Sequence, residues 1–412
     1  MAQPKIIVIG AGICGVSTAI WLQRYGYQVV LMDRGEPGMG ASYGNAGLIA
    51  QWAVVPMTTP ALWGNLPSLL FNPKSTFSLK WGYMPRLVPW LAKFLSQATD
   101  ARARQTVSHL MPLLSDAVDQ HKALSSGTPV AQWVEDSKIS YVYRSQAGFE
   151  QDAYSWALRR EVGLVPTILT GAQVAEEEPI LGPTMQFMAV LEGQGHILNP
   201  GQYVKELCAY FVHGGGTFIQ AEVQDFKKSN GKITAICTDQ GEFECDNAVV
   251  TSGIWSKPLM KRLGLSVPLE AERGYHVVYK NASILPKNPM LAAGKFGITP
   301  MGKNLRCAGT VELGGIEYGP SKRPIALIKS FVKDAFPELH YDGTEEWMGF
   351  RPSTTDSLPL IGQIAQSGIY TAFGHQHIGL TSGPKSGRMI ADMIDGRVSN
   401  SDTSAFDPAR FM

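Results

Sequence analysis

KIIVIGAGICGVSTAIWLQRYGYQVVLMDR, residues 5–34, decides the fold. KIIVIG is a short apolar run rich in β-branched residues, the pattern of a strand buried in a parallel sheet. Gly10, Gly12 and Gly15 fit G-x-G-x-x-G. VSTAIWLQRYG reads as a helix that turns Ala19, Leu22 and Trp21 to a sheet and stops at Gly26. YQVVLMD is a second strand ending at Asp33. Each part has a physical reason in a dinucleotide site. Gly10 permits the tight turn, Gly12 lets backbone approach a pyrophosphate, and Gly15 lets helix and strand pack closely. The helix N-terminus offers free N–H groups and a positive dipole to phosphate. Asp33 stands 18 residues after Gly15, where an acid accepts hydrogen bonds from ribose hydroxyls. It disfavours a 2′-phosphate, although Arg34 follows it. NADP is therefore set aside, while NAD and FAD both fit.

The whole chain has 412 residues, room for two or three domains. A net charge of +1 gives no electrostatic case for nucleic acid or an acidic partner. The five cysteines are scattered and no CxxC occurs, which argues against a disulfide framework, a zinc ribbon or a redox dithiol. A reducing, cytoplasmic setting is the expectation. No signal peptide or run of about 18 apolar residues is visible.

Three further stretches favour a flavin. GMGASYGNAGLIA (38–50) is almost all small residues, so its backbone lies close to something flat, as beside an isoalloxazine ring. AVVTSG (248–253) ends a strand at a turn that reaches the same ligand. SGIYTAFGHQHIGLTSGPKSGRMIADMI (367–394) reads as a strand, a Gly/His turn and a helix from about Gly383. That helix start suits the negative N1/C2=O edge of a reduced flavin. There is no second complete G-x-G-x-x-G for a separate nicotinamide module.

The fold class expected is α/β, with a discontinuous Rossmann-type FAD-binding domain and a second α+β substrate domain on an antiparallel sheet. The expected boundaries are 1–50, 140–265 and 346–412 for the first, and 51–139 and 266–345 for the second. Residues 52–94 crowd eight aromatics into a Pro-rich stretch. YMPRLVPWLAKFLSQATD (83–100) predicts an amphipathic helix, and the aromatic stretch is read as core packing or a cap over the site, or else as a peripheral membrane contact.

These stretches, with ERGYH, CAGTVELGG and GFRPSTTDSLPLIG, resemble the bacterial FAD-dependent D-amino acid dehydrogenases. Those belong to the wider D-amino acid oxidase, glycine oxidase and sarcosine oxidase superfamily. The resemblance runs nearly end to end. It implies noncovalent FAD, with Gly10, Gly12 and Gly15 on the pyrophosphate and Asp33 and Arg34 at the adenosine end. Ser42, Asn45, Ala46 and Gly47 match a flavin-contacting loop, Val223 an adenine contact, and Gly253 a second turn. Gly374, His377, Gly379, Leu380 and Thr381 match the pyrimidine side of the flavin. It also implies that Arg351, in GFRP, grips a substrate carboxylate, for which a planar guanidinium is suited. Tyr275 and His276 are candidates for lining the substrate pocket, and His375 and His377 for facing flavin or substrate. Gln376 stands where many relatives have a small residue. Cys307 does not match the position of a covalent flavin link.

The resemblance implies oxidation of an amino acid Cα–N bond by hydride transfer to flavin N5, giving an imino acid and then a 2-oxo acid and ammonia. A D-amino acid or a proline derivative is the expected substrate, and a quinone or another carrier the expected electron acceptor. Alternatives are an oxidase of the glycine or sarcosine type that uses dioxygen, an NAD-dependent dehydrogenase, and a catalytically silent FAD-binding subunit. Oligomeric state is not legible.

Overall fold

The computed structural model describes residues 4–72, 75–292, 296–398 and 402–411. One sheet has six strands in the order Leu360–Gln363, Ile369–Phe373, Asn247–Val250, Lys5–Ile9, Gln28–Asp33, Thr217–Gln220. Neighbours run parallel except for the first pair. Four separated parts of the sequence meet in it, and its central strands are buried on both faces. Helix Ile13–Arg24 leaves the first strand and ends where Gly26 takes a positive φ of 90°. Helices Gly379–Asp395 and Pro200–His213 pack against it.

The closeness of that packing rests on missing side chains. A Cβ on Gly15 would stand 1.8 Å from the Gly10 carbonyl oxygen. One on Gly387 would stand 2.6 Å from the Thr18 nitrogen, and one on Gly383 2.8 Å from Ile13 Cγ2. Helices Ile13–Arg24 and Gly379–Asp395 therefore cross almost backbone to backbone, and both begin beside the carboxyl ends of the parallel strands.

The second sheet has ten strands and is largely antiparallel. Its spine runs Gly343–Thr354, Leu269–Lys280, Asn304–Leu313, Phe296–Met301, Met290–Ala292, Val134–Tyr143, Phe187–Ile197, Leu48–Ile49. A meander, Val223–Ser229, Lys232–Thr238 and Gly241–Glu244, forms a third sheet.

Strand membership departs from the expected boundaries. Residues 140–197 were expected beside the nucleotide sheet, yet Val134–Tyr143, Thr167–Thr170 and Phe187–Ile197 pair within the larger sheet. So do Leu48–Ile49 and Gly343–Thr354. Conversely, helices Asp100–Leu114 and Ala117–Ser125, expected in the cap, pack on helix Gly379–Asp395. Antiparallel pairing over such distances has no local signature, because its partners are set by register and not by turn chemistry.

The expected amphipathic helix spans Met84–Ser96 and buries Leu87, Trp90 and Phe94. Trp90 stacks on Phe94 at 4.7 Å and donates its indole N–H to the Pro268 carbonyl (3.1 Å). Helix Ala61–Phe71 beside it leaves Trp63 52% exposed. Among the described residues, no helix is long and apolar enough to cross a membrane.

Gly15→Ala should cost at least about 3 kcal/mol, because the methyl group meets a backbone oxygen that cannot yield. Urea unfolding of the variant checks this; a loss below about 1 kcal/mol would show that the helix is free to shift.

Candidate active site

A cavity of about 1160 Å³ opens between the parallel sheet and the larger sheet. Typical small-molecule pockets hold roughly 300–1000 Å³, so this one admits a dinucleotide together with a small substrate. Among the residues singled out from sequence, Gly10, Gly12, Asp33, Arg34, Ser42, Asn45, Ala46, Val223, Gly253, Arg351, His377, Gly379 and Leu380 line it. His375 and Gln376 do so too.

The others stand behind the wall. Gly15 faces Gly10 as described. Gly47 has φ +81°, and a Cβ there would lie 2.7 Å from the Ile197 carbonyl oxygen. Gly374 packs on Thr354. Thr381 is turned to the neighbouring backbone: its hydroxyl accepts from Ala50 N (3.0 Å) and donates to the Leu48 carbonyl (3.4 Å). Tyr275 and His276 are corrections to the expected pocket. Tyr275 donates its hydroxyl to Glu312 (2.9 Å) and accepts from Ser321 N (3.1 Å), inside a network with Arg273. Alternation along the strand turns Gly274, not Tyr275, to the cavity. His276 stacks on Trp347 at 5.2 Å and lies behind the small-residue loop. Cys307 is fully buried in the core of the larger sheet.

At one end of the cavity, the Asp33 carboxylate accepts from Ala11 N (2.7 Å) and Gly35 N (2.9 Å). It thereby fixes the glycine turn and the chain beyond it. Arg34 stands over the Trp255 ring, its Cζ 3.8 Å from the ring centre, and both line the cavity. Ser42 Oγ accepts from Ile13 N (3.1 Å), so its own hydroxyl proton is available to an anion at the helix start.

The loop from Tyr43 to Asn45 is held from behind through its carbonyls. Arg306 Nη1 donates to the Tyr43 and Asn45 carbonyls, both at 2.9 Å. The Gly44 carbonyl accepts from His276 Nδ1 (3.1 Å). A Cβ on Gly44 would fall 1.7 Å from the Trp347 ring, so only glycine fits between ring and cavity. With these carbonyls turned away, the loop's other face lines the cavity. Burial pulls Arg306 down to about 10, and His276 down to about 4 with a smaller push from Arg306. Neither Arg306 nor Trp347 carries a local sequence signal.

The far helix starts at Gly379, four residues before the expected Gly383. Pro384 suggests a helix start because it has no N–H to give. In the folded chain it lies inside the helix, and its missing N–H would orphan the Leu380 carbonyl. His121 supplies the donor from another helix: its Nε2 lies 2.9 Å from that oxygen, and its Nδ1 3.0 Å from the Tyr203 hydroxyl. A carbonyl only accepts, so Nε2 carries the proton and Nδ1 accepts from tyrosine. Burial holds His121 neutral, with its pKa lowered to about 4. His375 is likewise buried, between Cys14 Sγ (3.7 Å) and Ser386 Oγ (2.9 Å), and tied to both crossing helices. His377 is exposed to the cavity; its depth, then Arg351, lowers its pKa to about 4.

Opposite these helices, Arg351 and Glu272 are cross-strand neighbours and both line the cavity. Arg351 Nη1 donates to the Thr310 carbonyl (3.1 Å), and the guanidinium lies across Gly274, where a Cβ would be 2.6 Å from Cζ. Burial lowers the Arg351 pKa and raises that of Glu272; each partly offsets the other's shift. ERGYH thus contributes its Glu and its Gly to the cavity, not its Tyr and His.

This arrangement fits FAD. The glycine turn and the N-terminus of helix Ile13–Arg24 offer N–H groups to a pyrophosphate, the second helix start lines the same cavity, and the cavity continues past a small-residue wall. Residues 5–393 match the DAO family, FAD dependent oxidoreductase, and the chain belongs to that family. It is 36% identical to a D-amino-acid oxidase of Bradyrhizobium diazoefficiens, over 99% of both chains. It is 26% identical to a D-amino acid dehydrogenase of Granulibacter bethesdensis, again over 99% of both. Among solved structures, glycine oxidase from Bacillus cereus superposes with a TM-score of 0.74 at 21% identity, covering 97% of this chain and 96% of that one. L-Proline dehydrogenase from P. horikoshii gives 0.71 at 17% identity, covering 99% and 98%. The protein is thus an FAD-dependent oxidoreductase of a family that oxidises amino acids.

His121 makes acid stability a test of this architecture. Its folded pKa of about 4 lies below the ordinary 6.5. Between these values the unfolded chain binds the proton more readily, so this contribution is whole above pH 6.5 and is lost as pH falls toward 4. His121→Phe should remove that part of the slope of Tm against pH. It should also cost about 1–3 kcal/mol at pH 7 for each group left unpaired, the Leu380 carbonyl and the Tyr203 hydroxyl. An unchanged slope would remove His121 from the account.

Proposed function

We propose that the protein oxidises the Cα–N bond of a D-amino acid, with the substrate carboxylate held by Arg351. The observation that carries this reading is the Arg351 guanidinium, laid over Gly274 on the cavity wall, with a single hydrogen bond to the Thr310 carbonyl. Its remaining donors suit a carboxylate bidentately. Glu272 tempers the buried charge without forming a close pair.

When bound, FAD supplies the acceptor for the hydride that leaves Cα. The protein's own part is position and exclusion of water. Gly274, Gly297 and Ala308 give the larger sheet a low floor facing the loop at Asn45–Leu48, leaving space for a small substrate. The amine reacts as the free base, and the product imine hydrolyses in water to a 2-oxo acid and ammonia. Stereochemistry follows the curated relatives, both named for D-amino acids.

Arg351→Met should raise KM on the order of 100-fold or more, the scale of an unpaired buried charge contact. Steady-state kinetics with D-alanine and D-proline checks this; a KM within about threefold of wild type would overturn the anchor.

For the acceptor we propose a quinone met at a membrane surface. Trp63 and Trp81 stand 52% and 59% exposed on the helical cover, an apolar surface suited to a lipid interface. Dioxygen is the second reading, favoured by the relative named an oxidase. In air without added acceptor, little hydrogen peroxide should form, and a short-chain quinone should restore turnover. One peroxide per substrate oxidised would establish dioxygen instead.

A further inference from the structure

One lobe of the cavity has no role in the reading above. It is walled by Trp52 and Ala53, by Tyr141 of strand Val134–Tyr143, and by Ser155 and Arg159 of helix Ala153–Glu161. Arg159 is only 7% exposed. Its Cζ lies 4.8 Å from the Trp156 ring centre, 5.0 Å from Tyr141 and 5.9 Å from Trp52. Its Nε donates to the Trp52 carbonyl at 3.3 Å. Among the described residues, no carboxylate lies within ion-pair distance of it, although of the surface arginines nearby Arg104 has two and Arg144 has one. Asp152, on the same wall, accepts instead from the Tyr143 hydroxyl at 3.1 Å.

A guanidinium stripped of water needs a negative charge, and ring faces attract it less than a carboxylate does. Of the other deeply buried arginines, Arg273 has Glu312 at 2.8 Å, and Arg306 spends Nη1 on the Tyr43 and Asn45 carbonyls. The aromatic packing, the Nε bond and a hydrogen bond to the Tyr141 hydroxyl hold the Arg159 guanidinium at the cavity wall, with the rest of its donor fork left for an anion. The anions already assigned lie elsewhere, the pyrophosphate at Gly10–Gly12 and the substrate's α-carboxylate at Arg351. An anion that reaches Arg159 is therefore a second one.

We propose that Arg159 is the side-chain subsite, and that the preferred substrate is an α-amino acid with a second carboxylate. This rests on the amino-acid reading above. The subsite discriminates against the isosteric amide, whose NH2 group presents donors to a fork that has only donors.

The test is the ratio of kcat/KM for glutamate over glutamine, and for aspartate over asparagine, in both enantiomers, with the FAD-loaded enzyme and alanine as a neutral reference. Wild type should favour the acid by about tenfold or more in the accepted enantiomer. Arg159→Gln should bring that ratio to about one, and Arg159→Lys, which keeps the charge without the fork, should leave it in between. The flavin absorption spectrum reports whether each variant is folded and loaded; if Arg159→Gln is not, the wild-type ratio and Arg159→Lys decide. An amide oxidised as well as its acid by wild type overturns the inference, as does an acid preference that survives in Arg159→Gln. Either result leaves the amino-acid reading intact while alanine still bleaches the flavin. Failure of every amino acid to bleach it overturns both.

Discussion

The Gly10 carbonyl oxygen and the hydrogen that Gly15 carries in place of a methyl set the distance on which this molecule depends. Because helix Ile13–Arg24 can sit so close to the turn that precedes it, its first N–H groups reach the cavity. The same economy of side chains recurs where Gly387 meets Thr18 and Gly383 meets Ile13. A second helix N-terminus is thereby brought beside the first, although the two are more than 360 residues apart. Two positive helix ends at one cavity make an anion and electron-accepting site before any side chain takes part.

The remainder of the site is made by turning backbone groups toward or away from that cavity. Arg306 and His276 take three successive carbonyls of the small-residue loop and hold them on the hidden side. Thr381 ties the next part of the chain, at Leu48 and Ala50, to the far helix. His121 repairs the helix where Pro384 leaves the Leu380 carbonyl without its donor. Each device satisfies a buried polar group, which would otherwise be costly, and so fixes one wall of the cavity. Charge is placed more sparingly. Arg351 is moderated by Glu272, whereas Arg159 has aromatic neighbours in place of a counter-ion.

The first strand, its glycines, the helix and Asp33 were legible in the sequence because all lie within one strand–helix–strand unit of about 30 residues at a fixed spacing. The chemistry of a glycine turn needs no distant partner to be recognised, and neither does the amphipathic pattern of Met84–Ser96. Arg351 stood out through the GFRP motif and its resemblance, and the fold puts it on the cavity wall. Reading ERGYH failed at Tyr275 because alternation turns it away from the cavity, and at His276 because a distant loop and Trp347 stand between it and the cavity.

By itself, the sequence determined the dinucleotide turn, the alternation of strand and helix around it, and a family whose chemistry is amino acid oxidation. Tertiary structure alone decided which side of each strand meets the cavity, where the far helix begins, and that Arg159 is buried with no carboxylate beside it among the described residues. The division has a physical cause. Turns and helices are stabilised by hydrogen bonds between near neighbours in sequence. A cavity wall is stabilised by contacts such as those of His121 with Leu380 and of Arg306 with Tyr43, more than 250 residues apart. Their energy exists only once the chain has closed on itself.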